Sequence, residues 1–288
     1  MGLSRRLQGY NAGPTMFLNP KSEIRNPKQT LVFLILLPLL SAVGLAQPKN
    51  PAQPPPPIEP AEGERQAHAL LSTLLAQKPD RNVTNSGVLK IREADHHERE
   101  VPVRFQIMIT PTNWVNDYET GSSGNAGNSS RERLTIVHTE GAQDRYLLQT
   151  FGGPNSTNAV RTLSGNQLVL PFAGSDFWAV DLGLEFLRWP QQRILRKEMR
   201  RELFCDVLQS TNPHPAPGAY SRVVSWIAAN RPEDIVIVHA DAYDANNKLL
   251  KEFTPKKVEK INGVWQLEEM ELRNRQTDSR TRIDFNLR

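Results

Sequence analysis

VPVRFQIMIT, residues 101–110, decides the fold class of this chain because it alternates strictly over most of its length. Every second residue of the stretch is apolar, namely Val101, Val103, Phe105, Ile107 and Ile109. Arg104, Gln106 and Thr110 fall on the opposite side with Met108. A period of two is typical of an antiparallel strand with one buried face. The stretch therefore predicts a half-buried strand in an antiparallel sheet.

Most of the remaining chain has the composition of short strands. The predicted strands lie at 87–92, 101–110, 114–118, 134–138, 145–150, 160–164, 167–171, 193–202, 203–209, 220–228, 234–243, 249–258, 263–274 and 281–286. Residues 62–77 instead carry apolar side chains at helical spacing and predict an amphipathic helix, and residues 175–187 predict a loop leading into a helix. Because helices do not alternate with the strands along the chain, the sequence predicts a mainly β (α+β) fold with one large antiparallel sheet.

The N-terminal region contains an apolar run, LVFLILLPLLSAVGLA at residues 31–46, that follows the basic residues Lys21, Arg25 and Lys28. The run has 16 residues and includes a proline, whereas a spanning helix needs roughly 20 apolar residues. We interpret residues 1–46 as a signal peptide that is cleaved after Ala46. The alternative is an uncleaved leader that anchors the protein in the inner membrane through residues 31–46.

The leader and the segment behind it change how the charge is interpreted. Residues 1–46 contain five Lys and Arg and one Glu, so the remaining 242 residues carry 30 basic and 30 acidic side chains. A neutral chain has no long-range attraction to phosphate backbones, so nucleic acid is not an expected partner.

Residues 47–61 contain seven prolines and predict an extended linker. The folded domain is expected over residues 62–288.

The chain contains Cys, His and Asp residues, which are types that can act in catalysis, but their spacing does not match a catalytic or metal-binding motif. Cys205 is the single cysteine and lies in an apolar run, which favours a buried thiol. His96 and His97 are adjacent, so they point apart, and no second cluster has metal-ligand spacing. Asp176 and Asp181 flank Phe177 and Trp178, and we interpret Asp176 or Ser175 as the cap of a short helix. We therefore predict no enzyme activity, no metal and no cofactor.

An ordered set of motifs in residues 170–286 resembles the outer-membrane lipoprotein-sorting proteins related to the periplasmic chaperone LolA. The motifs are Gly174-Ser175-Asp176-Phe177, Asp181-Leu182, Cys205-Asp206-Val207-Leu208, Tyr220 to Ile227, Ala242-Tyr243-Asp244, Lys248 to Lys251, Gly263-Val264-Trp265, Met270, Asn274 and Thr281. The likeness covers about 115 residues and is weak in the N-terminal third.

The resemblance implies a half-barrel, a single curved antiparallel sheet of about eleven strands whose concave face is covered by helices. It also implies a cavity that shelters acyl chains in transit across the periplasm. The expected lining residues are Phe105, Ile107, Trp114, Phe177, Trp178, Leu182, Trp226 and Trp265. At each of these positions, packing in an ordinary β core is the alternative.

These observations predict an exported periplasmic carrier that binds lipoprotein acyl chains or lipids for transport to, or sorting at, the outer membrane. Its expected partners include an inner-membrane export complex or an outer-membrane acceptor. The alternative on the same fold is an envelope-stress sensor or export accessory protein, which would retain its ligand and bind a protein partner.

Overall fold

The computed structural model describes residues 57–121, 131–152, 158–229, 235–261 and 264–286, without the side chains of residues 259–266. The predicted signal peptide at 1–46 and the linker residues 47–56 lie outside the described residues. Residues Gln53–Arg288 form one compact unit.

Thirteen strands and several short helices make up this unit. The elements are α1 (Pro60–Leu75), β1 (Val83–Arg92), β2 (Glu98–Ile109), β3 (Asn113–Thr120), β4 (Arg131–Thr139), β5 (Arg145–Phe151), β6 (Val160–Leu163), α2 (Ala179–Leu182), β7 (Gln191–Arg200), β8 (Leu203–Thr211), β9 (Arg222–Ala229), β10 (Ile235–Tyr243), β11 (Leu249–Ile261), β12 (Val264–Asn274) and β13 (Arg280–Asn286). Three 3₁₀ helices span Gly165–Val169, Phe172–Gly174 and Glu185–Arg188. The prediction of a mainly β fold is confirmed, with thirteen strands instead of about eleven.

All thirteen strands belong to one unclosed sheet, in the order β6-β5-β4-β3-β2-β1-β13-β12-β11-β10-β9-β8-β7. Every pairing is antiparallel, so β1 to β6 and β7 to β13 form two meanders. They meet at a central seam where β1 pairs with β13, with Leu89 opposite Ile283. Residues 164–190, which we call the crossing segment, run from one edge strand, β6, to the other, β7.

One stretch was predicted wrongly. Residues 167–171 were expected to form a strand, but Gly165–Val169 is a 3₁₀ helix. The Ser164 N–H donates to Gln167 Oε1 at 3.1 Å, and the Gln167 N–H donates to the Ser164 carbonyl at 3.0 Å. These local bonds close a turn, and the buried Leu168 inside that turn packs in the core. An apolar run of this length does not distinguish a strand from a tight helical turn.

The two faces of the sheet differ in what covers them. The main core lies on one face, the inner face, where Leu89, Ile136, Ile227 and Leu272 are almost fully buried. The crossing segment covers this face and contributes Phe172, Phe177, Leu182 and Leu187 to the same core. The opposite, outer face carries a smaller cluster around Cys205, Val207, Val224 and Trp226.

Helix α1 packs against the edge strand β7. Glu59 caps it by accepting the Glu62 N–H at 3.1 Å, and Pro60 begins the helix, where no amide hydrogen is needed. Gly63 faces β7 so closely that a Cβ there would lie 2.4 Å from the Ile194 carbonyl oxygen. The Ile58 N–H donates to the Leu195 carbonyl at 3.0 Å, so part of the edge of β7 is satisfied by this region.

Candidate functional site

The eight residues predicted to line a cavity separate into groups. Phe177 and Leu182 are buried in the inner-face core, and Phe105 and Trp178 pack against it half-buried. Ile107 and Trp114 are half-buried on the neighbouring strands β2 and β3. Trp226 lies in the outer-face cluster because it alternates with the inward-facing Ile227. The side chain of Trp265 lies outside the described residues.

Aromatic contacts link the inner-face residues to the crossing segment. The Phe105 ring lies 4.8 Å from Tyr118 and 6.0 Å from Phe285, measured between centroids. Tyr118 in turn meets Phe172 edge-on at 6.3 Å. These contacts connect β2, β3 and β13 with the crossing segment, and aromatic pairs at such distances attract one another.

A buried lysine lies beneath the crossing segment. The Lys251 side chain is 3 % exposed, and its Nζ lies 3.5 Å from Asp181 Oδ2. Nζ also donates to the Asp176 carbonyl at 2.6 Å and lies 3.2 Å from the centroid of the Trp178 ring. Asp181 accepts the Tyr220 hydroxyl at 2.9 Å and the Trp178 N–H at 2.8 Å. The network ties the crossing segment to β11 and to the start of β9.

Burial governs the ionisation of this network. Desolvation lowers the pKa of Lys251 to about 8, although the nearby carboxylate of Asp181 favours the charged form. Desolvation also raises the pKa of Asp181 against the opposing effect of Lys251. The opposite charges of Lys251 and Asp181 offset part of each other's desolvation, and either charge alone would be costly there.

Asp176 forms a second attachment of the crossing segment. Its Oδ1 accepts from Ser279 Oγ at 2.6 Å and its Oδ2 from Thr281 Oγ1 at 2.9 Å. The predicted capping role of Asp176 or Ser175 is wrong, because α2 begins at Ala179 and the Asp181 carboxylate accepts the Trp178 N–H. Arg99 on β2 adds hydrogen bonds to the carbonyls of Ala173 and Gly174 at 3.2 and 2.7 Å.

A third polar group holds the far end of the crossing segment. Arg188 Nε donates to the fully buried carboxylate of Asp144 at 2.7 Å, and His138 Nδ1 lies 2.9 Å from the same oxygen. Trp114 stacks on the His138 ring at 4.9 Å. The Tyr146 hydroxyl donates to Glu185 at 3.0 Å, and burial raises the pKa of Glu185.

The interior beneath the crossing segment is nearly full. The cavity beside Lys251 measures about 20 Å³ and is bordered by Leu184, Phe186 and Phe253. That volume holds about one water molecule. The inner face therefore has a packed core, with no room for an acyl chain at this position.

Larger hollows open where α1, the β4–β5 turn and the end of the crossing segment meet. One of them has a volume of about 490 Å³, and we call it the rim groove. Its lining residues are His68, Leu71, Ser72, Leu75, Gly141, Ala142, Gln143, Leu187, Arg188, Trp189, Pro190 and Gln192. Two hollows of about 350 and 270 Å³ adjoin it and share Pro190 with it. Ligand pockets in proteins have volumes of about 300 to 1,000 Å³.

The rim groove has one apolar wall and one polar side. Leu71 and Leu187 belong to the buried core, and Leu75 and Trp189 pack against it half-buried. Glutamines and Arg188 border the opening. The sequence prediction missed this groove because its walls come from a helix, a hairpin turn and a loop that are distant in sequence. The apolar stripe of α1 was the available signal.

The described residues include the histidines and the cysteine that were considered as candidate site residues. Within them, no three His, Cys, Asp or Glu side chains are placed to hold a metal ion. Cys205 is buried as predicted, and burial raises the pKa of its thiol. His96 lies in the tight turn between β1 and β2 with φ of 69°, and Arg92 donates to its Nδ1. In the same part of the chain, no helix is long and apolar enough to span a bilayer.

Comparison with solved structures identifies the fold. A DUF1329 family protein from Desulfovibrio piger superposes with a TM-score of 0.60 at 18% identity, covering 78% of this chain and 91% of that one. A putative outer membrane lipoprotein-sorting protein domain from Vibrio parahaemolyticus gives a TM-score of 0.61 at 15% identity, with coverage of 79% and 91%. A LolA superfamily protein from Nitrosomonas europaea gives 0.49 at 15% identity, with coverage of 77% and 91%. The resemblance in fold predicted from residues 170–286 is confirmed.

Sequence comparison adds a family. No curated protein matches this chain. A family model described as "Uncharacterized protein" matches residues 132–287, which is more than half of the chain. The match begins in β4 and ends beyond β13, so it contains the crossing segment and the whole second meander. The chain therefore belongs to this family, and it has a LolA-like fold.

Proposed function

We propose that this protein is an exported periplasmic carrier that holds the acyl chain of a lipoprotein or lipid in the rim groove. The groove carries the proposal, since it is an opening of about 490 Å³ with an apolar wall continuous with the core. The fold is shared with a putative lipoprotein-sorting domain, which agrees with this role. The leader at residues 1–46 supports export, and no catalytic step is needed.

The apolar wall supplies the binding energy in this proposal. Each methylene moved from water against Leu71, Leu75 and Trp189 contributes about 0.8 kcal/mol. An acyl chain buried over about ten carbons would gain several kcal/mol after the cost of association. Because the interior beside Lys251 is full, the chain would lie along the groove instead of entering beneath the crossing segment.

The residues that the sequence predicted to line a cavity are not the residues that line the rim groove. Phe105, Phe177, Trp178 and Leu182 belong to the inner-face core or pack against it, and they do not line the groove. Ile107 and Trp114 are half-buried on β2 and β3 and remain proposed contacts for a longer chain. Trp226 is excluded from the set, since it packs on the outer face.

The proposal is tested by a substitution that fills the groove and leaves the buried side chains of the core unchanged. Ser72 lines the groove and is exposed, so Ser72→Trp would occupy the space that the acyl chain needs. Ala76→Trp adds the same ring at an exposed position of the same helix end that does not line the groove. The protein is incubated with bacterial membrane extract, bound lipid is measured by native mass spectrometry, and affinity is measured with a fluorescent fatty acid.

We expect the wild-type protein and Ala76→Trp to retain lipid, and Ser72→Trp to bind the fluorescent fatty acid at least tenfold more weakly. A wild-type protein that takes up neither lipid nor fatty acid would contradict the carrier proposal. Equal binding by the two tryptophan variants would exclude the rim groove as the site. Movement of the bound fatty acid to acceptor vesicles separates a carrier from a sensor.

A further inference from the structure

A row of arginines crosses the outer face at the central seam. Arg92 on β1 lies directly opposite Arg280 on β13, and Arg280 lies opposite Arg273 on β12. Each alternates with an inward-facing neighbour, namely Ile91, Thr281 and Leu272 respectively. Side chains directly opposite in an antiparallel pair have Cβ atoms about 5 Å apart, and like charges there repel.

Carboxylates form ion pairs with the neighbouring basic residues, and Glu98 lies opposite Arg92 in the pairing of β1 with β2. Lys90 pairs with Asp284 at 2.5 Å, and Arg282 pairs with Glu269 and Glu271 at 3.0 and 3.2 Å. Arg273 has the exposed Asp278 at 3.2 Å. Within the described chain, no carboxylate lies within ion-pair distance of Arg92 or Arg280. Arg92 instead donates to His96 Nδ1 at 2.6 Å.

A hollow lies over these residues. Its volume is about 260 Å³, and its charged lining consists of five basic and two acidic residues: Lys90, Arg92, Arg99, Arg280, Arg282, Glu98 and Glu100. It is separate from the rim groove, with which it shares no lining residue. Glu98 and Glu100 are exposed. Lys90, Arg99 and Arg282 already pair with carboxylates outside the lining, so Arg92 and Arg280 are the basic residues of this lining that can attract an anion.

We propose that Arg92 and Arg280 form a binding site for a phosphate group. Two guanidinium forks on adjacent strands match a tetrahedral group whose several oxygens accept hydrogen bonds from both. A carboxylate has two oxygens and satisfies one fork, so it fits the pair less well. The bound phosphate would also remove the repulsion between the two arginines, which gives the site a driving force besides hydrogen bonding.

The phosphate group has two possible sources, a small soluble molecule or a phospholipid headgroup at a membrane surface. The experiment separates them with two probes in phosphate-free buffer. Calorimetry measures inorganic phosphate and glycerol phosphate. Sedimentation compares vesicles of phosphatidylcholine alone with vesicles that contain phosphatidylglycerol.

The site variant is Arg92→Gln with Arg280→Gln. The control is Arg104→Gln with Arg145→Gln, which removes the same charge from two exposed strand positions outside the hollow. For at least one probe, we expect the control to bind like the wild type and the site variant to bind at least tenfold more weakly. Phosphate binding alone would indicate a soluble ligand, and arginine-dependent sedimentation would indicate a headgroup.

A melting curve provides an independent readout. Removing two repelling charges should leave the melting temperature of the site variant equal to or above that of the wild type. An added phosphate probe that binds should raise the melting temperature of the wild type and control but not that of the site variant. The inference is overturned if no probe binds the wild type, or if the site and control variants bind equally. Neither result affects the proposal for the rim groove, because that proposal is tested separately with Ser72→Trp, which adds an uncharged ring.

Discussion

Lys251 shows how a single residue can order the layer above a sheet. It lies on the same face of β11 as Phe253 and among aromatic side chains, where a charged group is costly. Its hydrogen bond to the Asp176 carbonyl and its ion pair with Asp181 both reach the crossing segment. The lysine therefore fixes where that segment lies on the inner face.

Lys251→Met should destabilise the protein by about 3 kcal/mol, because the carboxylate of Asp181 is then buried without its cation. Urea denaturation followed by tryptophan fluorescence measures the free energy of unfolding. Lys248→Met is the matched control, since Lys248 is exposed in the β10–β11 turn and should change stability by less than about 0.5 kcal/mol.

A second variant separates the ion pair from the loss of packing. Lys251→Met combined with Asp181→Asn removes both charges and should recover part of the lost stability. If Asp181→Asn lowers the free energy of unfolding as much in the Lys251→Met protein as it does in the wild type, the two residues are not coupled as described.

For single residues, the sequence indicated the surroundings of aromatic and aliphatic side chains better than those of polar ones. Phe177 and Leu182 were expected to line a cavity, with packing in the core as the alternative, and both are buried in the core. Trp226 is buried on the other face, which its alternation with Ile227 would have indicated. Lys251 was missed, because the partner that makes a buried lysine tolerable, Asp181, lies 70 residues away in sequence.

Helix α1 illustrates what decides the position of an element. Its amphipathic pattern predicted the helix, but the contact that places it is Gly63 against the backbone of β7. An alanine in an exposed helix is more favourable than glycine by about 1 kcal/mol. Here the closeness of the Ile194 carbonyl reverses that preference.

Gly63→Ala should therefore lower the free energy of unfolding by about 1 to 3 kcal/mol, because the added methyl group forces α1 away from β7. Thermal denaturation monitored by circular dichroism is the measurement. Glu64→Ala, at the exposed neighbouring position, should have little effect. An increase in stability on Gly63→Ala would show that the helix is free to shift.

Element boundaries could be predicted to different degrees. Strands with clear alternation were found close to their ends, as for β2 and β10. Residues 167–171 were missed because hydrogen bonds between Ser164 and Gln167 favour a turn that hydrophobicity does not reveal. The rim groove could not be predicted from any one element, since it exists only where three of them meet.

For the whole molecule, the compact unit begins near the end of the linker, and its first helix is part of the core. A protein that begins at residue 57 should keep the melting temperature of the full chain within about 2 °C. A protein that begins at residue 77 loses Ala67 and Leu71 from the core and exposes the edge of β7, so it should aggregate. Size-exclusion chromatography with light scattering distinguishes the two. A monomeric, stable protein from residue 77 would contradict the structural role of α1.

The seam between β1 and β13 also bears on when the molecule folds. The first meander is synthesised early, but β1 remains without its neighbour β13 until residues 280–286 are available. Leu89 and Ile283, which face each other at this seam, are 194 residues apart in sequence. Contacts of such large sequence separation close slowly. For the exported protein that we propose, this arrangement would delay folding until residues 280–286 had been delivered across the membrane.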